Sequence, residues 1–249
     1  IFGSIPTKRC SALCILPKGE APYRTAANPN RTDSHIHIES KGEDIMMPIK
    51  KLVTVCAIAA ATLAPAQADH VVTVGGAVPN FKVTDHTNKV HEFDKDLKGK
   101  IVVLEWTNKD CPFAGGAYYT PERMLMPEMQ KNYTAKGIIW LSVISSAPGK
   151  EGYIDTKNEG GKKHLEMYKN ATAVIIDDKA DFSNMFHAKV TTTVAVIDRE
   201  GKLAYLGSAT DKDHNQNFLS EATESILKGE PVKTPETQAF GCGIKNELK

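Results

Sequence analysis

Cys111 closes the segment Ile101-Val-Val-Leu-Glu-Trp-Thr-Asn-Lys-Asp110 and is followed by Pro112-Phe113. An apolar run stops at Trp106, a short polar loop follows, and the cysteine stands just before a proline of the kind that opens helices. Unpaired N–H groups at a helix start stabilise an anion, lowering a cysteine pKa from ~8.5 towards ~3.5–7.5 and making a thiolate nucleophile. The alternative is a buried structural thiol, which needs neither the proline nor the polar loop. The second candidate is Cys242, flanked by Gly241 and Gly243 near the end of the chain.

Other residues carry weaker chemistry. His70, His86, His91, His164, His187 and His214 are scattered without ligand spacing, and of these His187, after an apolar helix turn, is the one placed to line a site. Trp106 and Trp140 lie on strand runs and read as core. Tyr118 and Tyr119 either shape a pocket over Cys111 or cover the core. Gly115-Gly116 lacks the lysine of a phosphate loop. Cys10, Cys14, His35 and His37 match no zinc spacing, so neither a metal nor a cofactor is expected.

The front of the 249-residue chain reads as disposable. Residues 1–45 show no sustained period and are rich in Pro, Arg, Ser and Asn, as in an over-extended reading frame or a disordered leader. Residues 46–68 read as a secretory signal peptide: Lys50-Lys51, an apolar run from Leu52 to Ala64 that includes Cys56, then Ala66-Gln-Ala68 as cleavage site. The run falls short of the ~20 apolar residues a membrane span needs, so no stable anchor is expected after cleavage, and the product is periplasmic or secreted. From Asp69 onward there are 23 Lys and Arg against 25 Asp and Glu, a net charge near −2 with no basic stripe, which argues against a nucleic-acid surface. Two cysteines remain there, Cys111 and Cys242, and an even pair in an exported chain points to a disulfide. The tail, 229–249, reaches ~45 Å at Cys242, enough to return over Cys111 without compelling it.

The elements that position these residues alternate. Phe81–Thr84 and Val90–Phe93 flank a turn-rich loop as a hairpin, and Ile101–Trp106 is a central buried strand. A helical stretch after Cys111, interrupted by Pro121 and Pro127, carries Met126, Met129 and Tyr133 on one face until Gly137. The strand Ile138–Ile144, a helix near Lys162–Tyr168, the strand Ala173–Ile176 and a short helix Asp181–His187 follow. A hairpin, Val194–Ile197 with Leu203–Leu206, and an amphipathic helix Gln216–Leu227 close the domain. Such a sequence of elements predicts an α/β domain over 69–249, a mixed sheet covered on both faces.

From about Val74 to Lys245 the chain resembles the thioredoxin-fold redoxins related to the alkyl hydroperoxide reductase and thiol-specific antioxidant (peroxiredoxin-like) group. The matching stretches are Leu104-Glu-Trp-Thr-Asn-Lys-Asp-Cys-Pro-Phe113, Gly137-Ile-Ile-Trp-Leu-Ser-Val-Ile-Ser-Ser-Ala-Pro-Gly149, Val196-Ile-Asp-Arg-Glu-Gly-Lys202 and Thr234-Pro-Glu-Thr-Gln-Ala-Phe-Gly-Cys-Gly-Ile-Lys245. The resemblance implies a thioredoxin-like fold with an N-terminal β-hairpin extension, a redox cysteine at Cys111 and a second at Cys242. Departures stand beside the matches. Asn108 and Leu104 occupy the places of the usual peroxiredoxin threonine and proline, and Asn108 can still donate to an oxygen. Thr192 falls where an activating arginine or a thioredoxin cis-proline is expected. Ala114 and Gly115 exclude Cys-x-x-Cys and Cys-x-x-x-Cys dithiols.

The function expected is an antioxidant thiol peroxidase. Cys111 attacks a peroxide and becomes a sulfenic acid, Cys242 resolves it to a disulfide, an external thiol reductant reopens the bond, and Asn108, Pro112 and Thr192 shape the site. Two alternatives stand: a thiol–disulfide exchanger acting on protein disulfides, and a binding domain in which Cys111–Cys242 is a staple. Gly241 and Gly243 suggest a tail built to move, against the staple.

Overall fold

The computed structural model describes residues 72–248. The expected leader, the signal peptide with its cleavage site, and Cys10, Cys14, His35, His37, Cys56 and His70 lie outside the described residues.

An antiparallel hairpin comes first, β1 (Lys82–Thr84) with β2 (Val90–Glu92). Asp85 closes its loop. One carboxylate oxygen accepts from the Thr87 and Lys89 N–H groups and the Thr87 hydroxyl, and the other meets His91 Nε2 at 2.8 Å. A wide helical turn at Phe93–Leu97, which no periodicity in so short a segment announces, leads into β3 (Val102–Trp106). Then come α1 (Gly115–Tyr118), α2 (Leu125–Ala135) and β4 (Ile139–Ile144). Pro127 is the third residue of α2, where its missing N–H has no intrahelical partner to lose, so the proline does not break the helix. Next are α3 (Glu159–Leu165) and β5 (Ala173–Ile176). Asn158 starts α3 by accepting the Gly161 N–H at 2.7 Å, earlier than the apolar pattern alone places it. The chain continues through α4 (Asp181–Met185), β6 (Thr193–Ile197), β7 (Leu203–Ser208) and α5 (Phe218–Lys228). Asn217 caps α5, and Gly229 ends it in the left-handed region.

The five-stranded sheet has the order β5-β4-β3-β6-β7, with β3, β4 and β5 parallel and β6 and β7 antiparallel to their neighbours. Leu104 lies opposite Leu141 and Ala195, and Val103 opposite Trp140 and Val196. All five residues of β3 are buried, as a central strand covered on both faces requires. One face packs Leu104, Trp106, Leu141 and Ala195 against Phe81, Phe93, Phe182 and Phe186. The other packs Val103, Trp140, Val196 and Tyr205 against Met126, Met129 and Tyr133 of α2 and Leu219, Ala222 and Ile226 of α5. The hairpin, the mixed sheet and the helices on both faces are the architecture expected from the sequence.

Candidate active site

The loop after β3 is held as a turn before any helix begins. The Asn108 side chain accepts the Asp110 N–H at 2.8 Å, and its carbonyl takes the Cys111 and Gly115 N–H groups at 3.2 Å each. The Cys111 carbonyl in turn takes the Ala114 and Gly116 N–H groups. A second loop, 146–152, clasps the first. Asn108 Nδ2 donates to the Glu151 carbonyl at 3.3 Å, and the Gly152 N–H donates to Asp110 at 3.0 Å. Gly152 has φ +82°, and a Cβ there would stand 2.2 Å from the Asn108 side chain, so only glycine lets the loops approach this closely. Asn108 therefore fixes the loop, with its side-chain amide bonded to the Glu151 carbonyl. Pro112 is exposed in the turn, and α1 beyond it has four residues, too short for an appreciable dipole at Cys111.

The tail supplies what the short helix does not. Beyond α5 it runs beside β7, exchanging Leu206 N–H to the Pro235 carbonyl and Thr237 N–H to the Leu206 carbonyl. Phe240 then meets Phe113 edge to face, with ring centres 6.3 Å apart. From there the tail pairs with the segment before β6. The Thr192 hydroxyl donates to the Phe240 carbonyl, Thr191 N–H donates to the Cys242 carbonyl at 2.9 Å, and Ile244 N–H donates to the Lys189 carbonyl at 3.0 Å. Past the cysteine, Asn246 Nδ2 donates to the carbonyls of Ser145 and Asp178, Ala147 N–H reaches the Lys245 carbonyl, and Lys245 pairs with Glu151. The tail is thus a strap fixed on both sides of Cys242. Gly241 sits at φ +143°, where a Cβ would lie 2.4 Å from the Thr191 carbonyl. Its glycine serves close pairing, a different reason from the mobility expected of it.

Under the strap Cys111 is wholly buried (0 % exposed), while Cys242 is half-buried; both are free thiols. The Thr191 hydroxyl lies 3.1 Å from Cys111 Sγ. Burial pushes the Cys111 thiol up, but hydrogen bonds from the Cys242 thiol, the Thr191 hydroxyl and the N–H groups of Cys242 and Phe113 outweigh it, and the net direction is down. Cys242 is pushed up to about 11 by burial, by donating to Cys111 and by the negative charge that Cys111 and Glu151 place beside it. Two sulfurs 131 positions apart in sequence therefore form one pair, the stronger acid inside and the weaker acid outside.

The remaining candidates fall elsewhere. Thr192 is buried with φ +72° and holds the strap, so the hydroxyl on the sulfur belongs to Thr191, one position earlier. Tyr118 donates to or accepts from Thr210, and Tyr119 donates to Glu105, so both serve the core. Trp106 and Trp140 are buried. His187 is exposed in the turn after α4. Among the described residues no group of three or more His, Cys, Asp or Glu side chains gathers to hold a metal. Glu105, which the sequence reading passed over, is fully buried and accepts from Tyr119 (2.5 Å), Trp140 (2.7 Å), Gln130 (2.9 Å) and Ser142 (3.0 Å). Burial pushes its carboxyl up against the pull of those four donors. A charged residue inside the apolar run Val-Val-Leu-Glu-Trp was the available sign of such a network.

No protein-family model matches the chain, and comparison with curated proteins gives no match. Among solved structures, a hypothetical protein from Sinorhizobium meliloti is similar at 18 % identity and TM-score 0.60, covering 72 % of this chain and 97 % of that one. An uncharacterised conserved protein from Geobacillus kaustophilus is similar at 19 % identity and TM-score 0.60, covering 72 % and 95 %. A Neisseria meningitidis protein described provisionally as a thioredoxin matches at 18 % identity and TM-score 0.45, covering 61 % and 89 %. The sheet order β5-β4-β3-β6-β7, with β3, β4 and β5 parallel, β6 and β7 antiparallel and helices on both faces, is a thioredoxin-like α/β fold.

Proposed function

We propose that the protein is a thiol oxidoreductase that works outside the cytoplasm, cycling Cys111 and Cys242 between dithiol and disulfide. The observation that carries this is the pair itself: a buried thiol surrounded by donors, with the only other cysteine of the described residues strapped against it. A structural staple would need no hydroxyl and no N–H groups directed at one sulfur. In the exchange reading, a partner disulfide gains two electrons and two protons as the Cys111–Cys242 bond forms, and an external thiol reductant reverses the step. The net downward shift of the Cys111 thiol supports this reading, because it makes Cys111 the better leaving sulfur when the Cys111–Cys242 bond is reopened.

Peroxide reduction is the second reading, favoured by the Thr191 hydroxyl beside Cys111 Sγ, a donor that can also serve an incoming peroxide oxygen. There Cys111 thiolate takes one peroxide oxygen, the other leaves as alcohol or water, and Cys242 condenses with the sulfenic acid, releasing water. Turnover by the reduced wild type, Cys111→Ser and Cys242→Ala tests both. With a protein disulfide neither variant completes the exchange, and with a peroxide Cys111→Ser is inert. Cys242→Ala stalls after one oxidation by peroxide, leaving a sulfenic acid on Cys111. Identical oxidant consumption by all three proteins refutes the proposal.

A further inference from the structure

We infer that Cys242, not Cys111, is the sulfur through which the oxidised protein meets an external thiol, so that the mixed disulfide with a reductant or partner forms on the tail. This rests on the reading of Cys111 and Cys242 as a redox pair. The ground is the unequal placement of the two sulfurs. Cys111 is 0 % exposed beneath the strap, whereas Cys242 is half-buried between Gly241, which has no side chain, and Gly243, around whose Cβ direction there is open space. The thiols are already within hydrogen-bonding reach, so forming the bond asks for a short approach and leaves the strap seated. The anchors on either side of the cysteine, at Phe240 and at Ile244 to Asn246, do not involve the sulfur and survive the bond.

A thiolate displaces a disulfide sulfur along the axis of the S–S bond, from the side opposite the leaving sulfur. With Cys111 wholly buried and Cys242 half-buried, a thiolate arriving from solvent meets Cys242 first. The step balances simply. The incoming thiolate R–S⁻ bonds to Cys242 Sγ, the Cys111–Cys242 bond breaks, and its electron pair departs on Cys111 as thiolate. The Thr191 hydroxyl and the Phe113 N–H hold that charge, which makes Cys111 the better leaving group of the two. A second R–S⁻ then attacks the external sulfur of the mixed disulfide, yielding R–S–S–R and the Cys242 thiolate, which takes a proton from water. In the oxidising direction a partner disulfide passes through the same adduct on Cys242, and Cys111 completes the exchange from beneath.

The test uses the full chain oxidised by one equivalent of diamide, its loss of two hydrogens checked by mass. It is then exposed briefly to glutathione, quenched in acid, alkylated and digested without reduction. The inference expects glutathione on the tail peptide carrying Cys242 in at least tenfold excess over the peptide carrying Cys111. Equal or greater label on the Cys111 peptide overturns the inference and leaves the redox pair standing. Failure to lose two hydrogens on oxidation overturns the redox pair and the inference together.

Discussion

Thr191→Val removes the hydroxyl 3.1 Å from Cys111 Sγ while keeping the side chain's shape in a buried site. A hydrogen bond to a charged acceptor contributes ~1.5–3 kcal/mol. Two features reduce that here: the same hydroxyl lies 3.3 Å from the Cys242 carbonyl, and the thiolate keeps donors from Cys242 and Phe113. A net loss of ~1 kcal/mol remains, equivalent to roughly a fivefold smaller thiolate fraction at a fixed pH in the titrating range. Ultraviolet thiolate absorbance of the reduced protein, followed against pH, reads this directly. Cys242, pushed up to about 11, titrates later and does not obscure it. The midpoint for Thr191→Val is expected above wild type, and Thr191→Ser, which keeps a donor, close to it. A midpoint for the valine variant equal to or below wild type would refute the claim that this hydroxyl stabilises the thiolate.

Three further perturbations probe the strap, the core acid and the hairpin. Gly241→Ala forces a Cβ to 2.4 Å from the Thr191 carbonyl at φ +143°, a strain of ~1–3 kcal/mol that lifts the strap; Cys111 alkylation by iodoacetamide should quicken by about tenfold or more, and an unchanged rate contradicts the strap. Glu105 is an acid whose folded pKa lies above its unfolded one, so its contribution to stability falls as pH rises above the ordinary carboxyl range. Glu105→Gln should flatten the fall in urea-measured stability as pH rises above the ordinary carboxyl range, and an unaltered slope counts against it. Asp85 is opposite in sign: burial raises its pKa, but bonds from Thr87, His91 and Lys89 prevail and hold it at about 2. The stability gap between wild type and Asp85→Asn, ~2 kcal/mol at neutral pH, should close as pH falls from about 4 to about 2, and a gap that persists in acid refutes it.

The regular elements were legible because apolar period and punctuation agree. Gly137 ends α2 and Gly229 ends α5, and the near-continuous apolar run from Val102 to Trp106 marks a central strand covered on both faces. Cys111 was legible for the same reason, standing where a strand gives way to a polar loop. The site around it was not, because its contacts are remote in sequence: Thr191 reaches Cys111 across 80 positions, and Asn108 is engaged by a loop more than 40 positions away. The choice between Thr191 and Thr192 turns on the positive φ of Thr192, which directs its hydroxyl to the strap, and no local residue type announces that. Gly241 invites a reading as a hinge until the Thr191 carbonyl is seen against it.

The account stands most directly on the pairing of the two cysteines in the working protein. Peptide mapping without reduction, after the reduced full chain has met one equivalent of oxidant, is the measurement. The account predicts a single linked species joining the peptide of Cys111 to the peptide of Cys242. Recovery of both thiols free after oxidant treatment would contradict it.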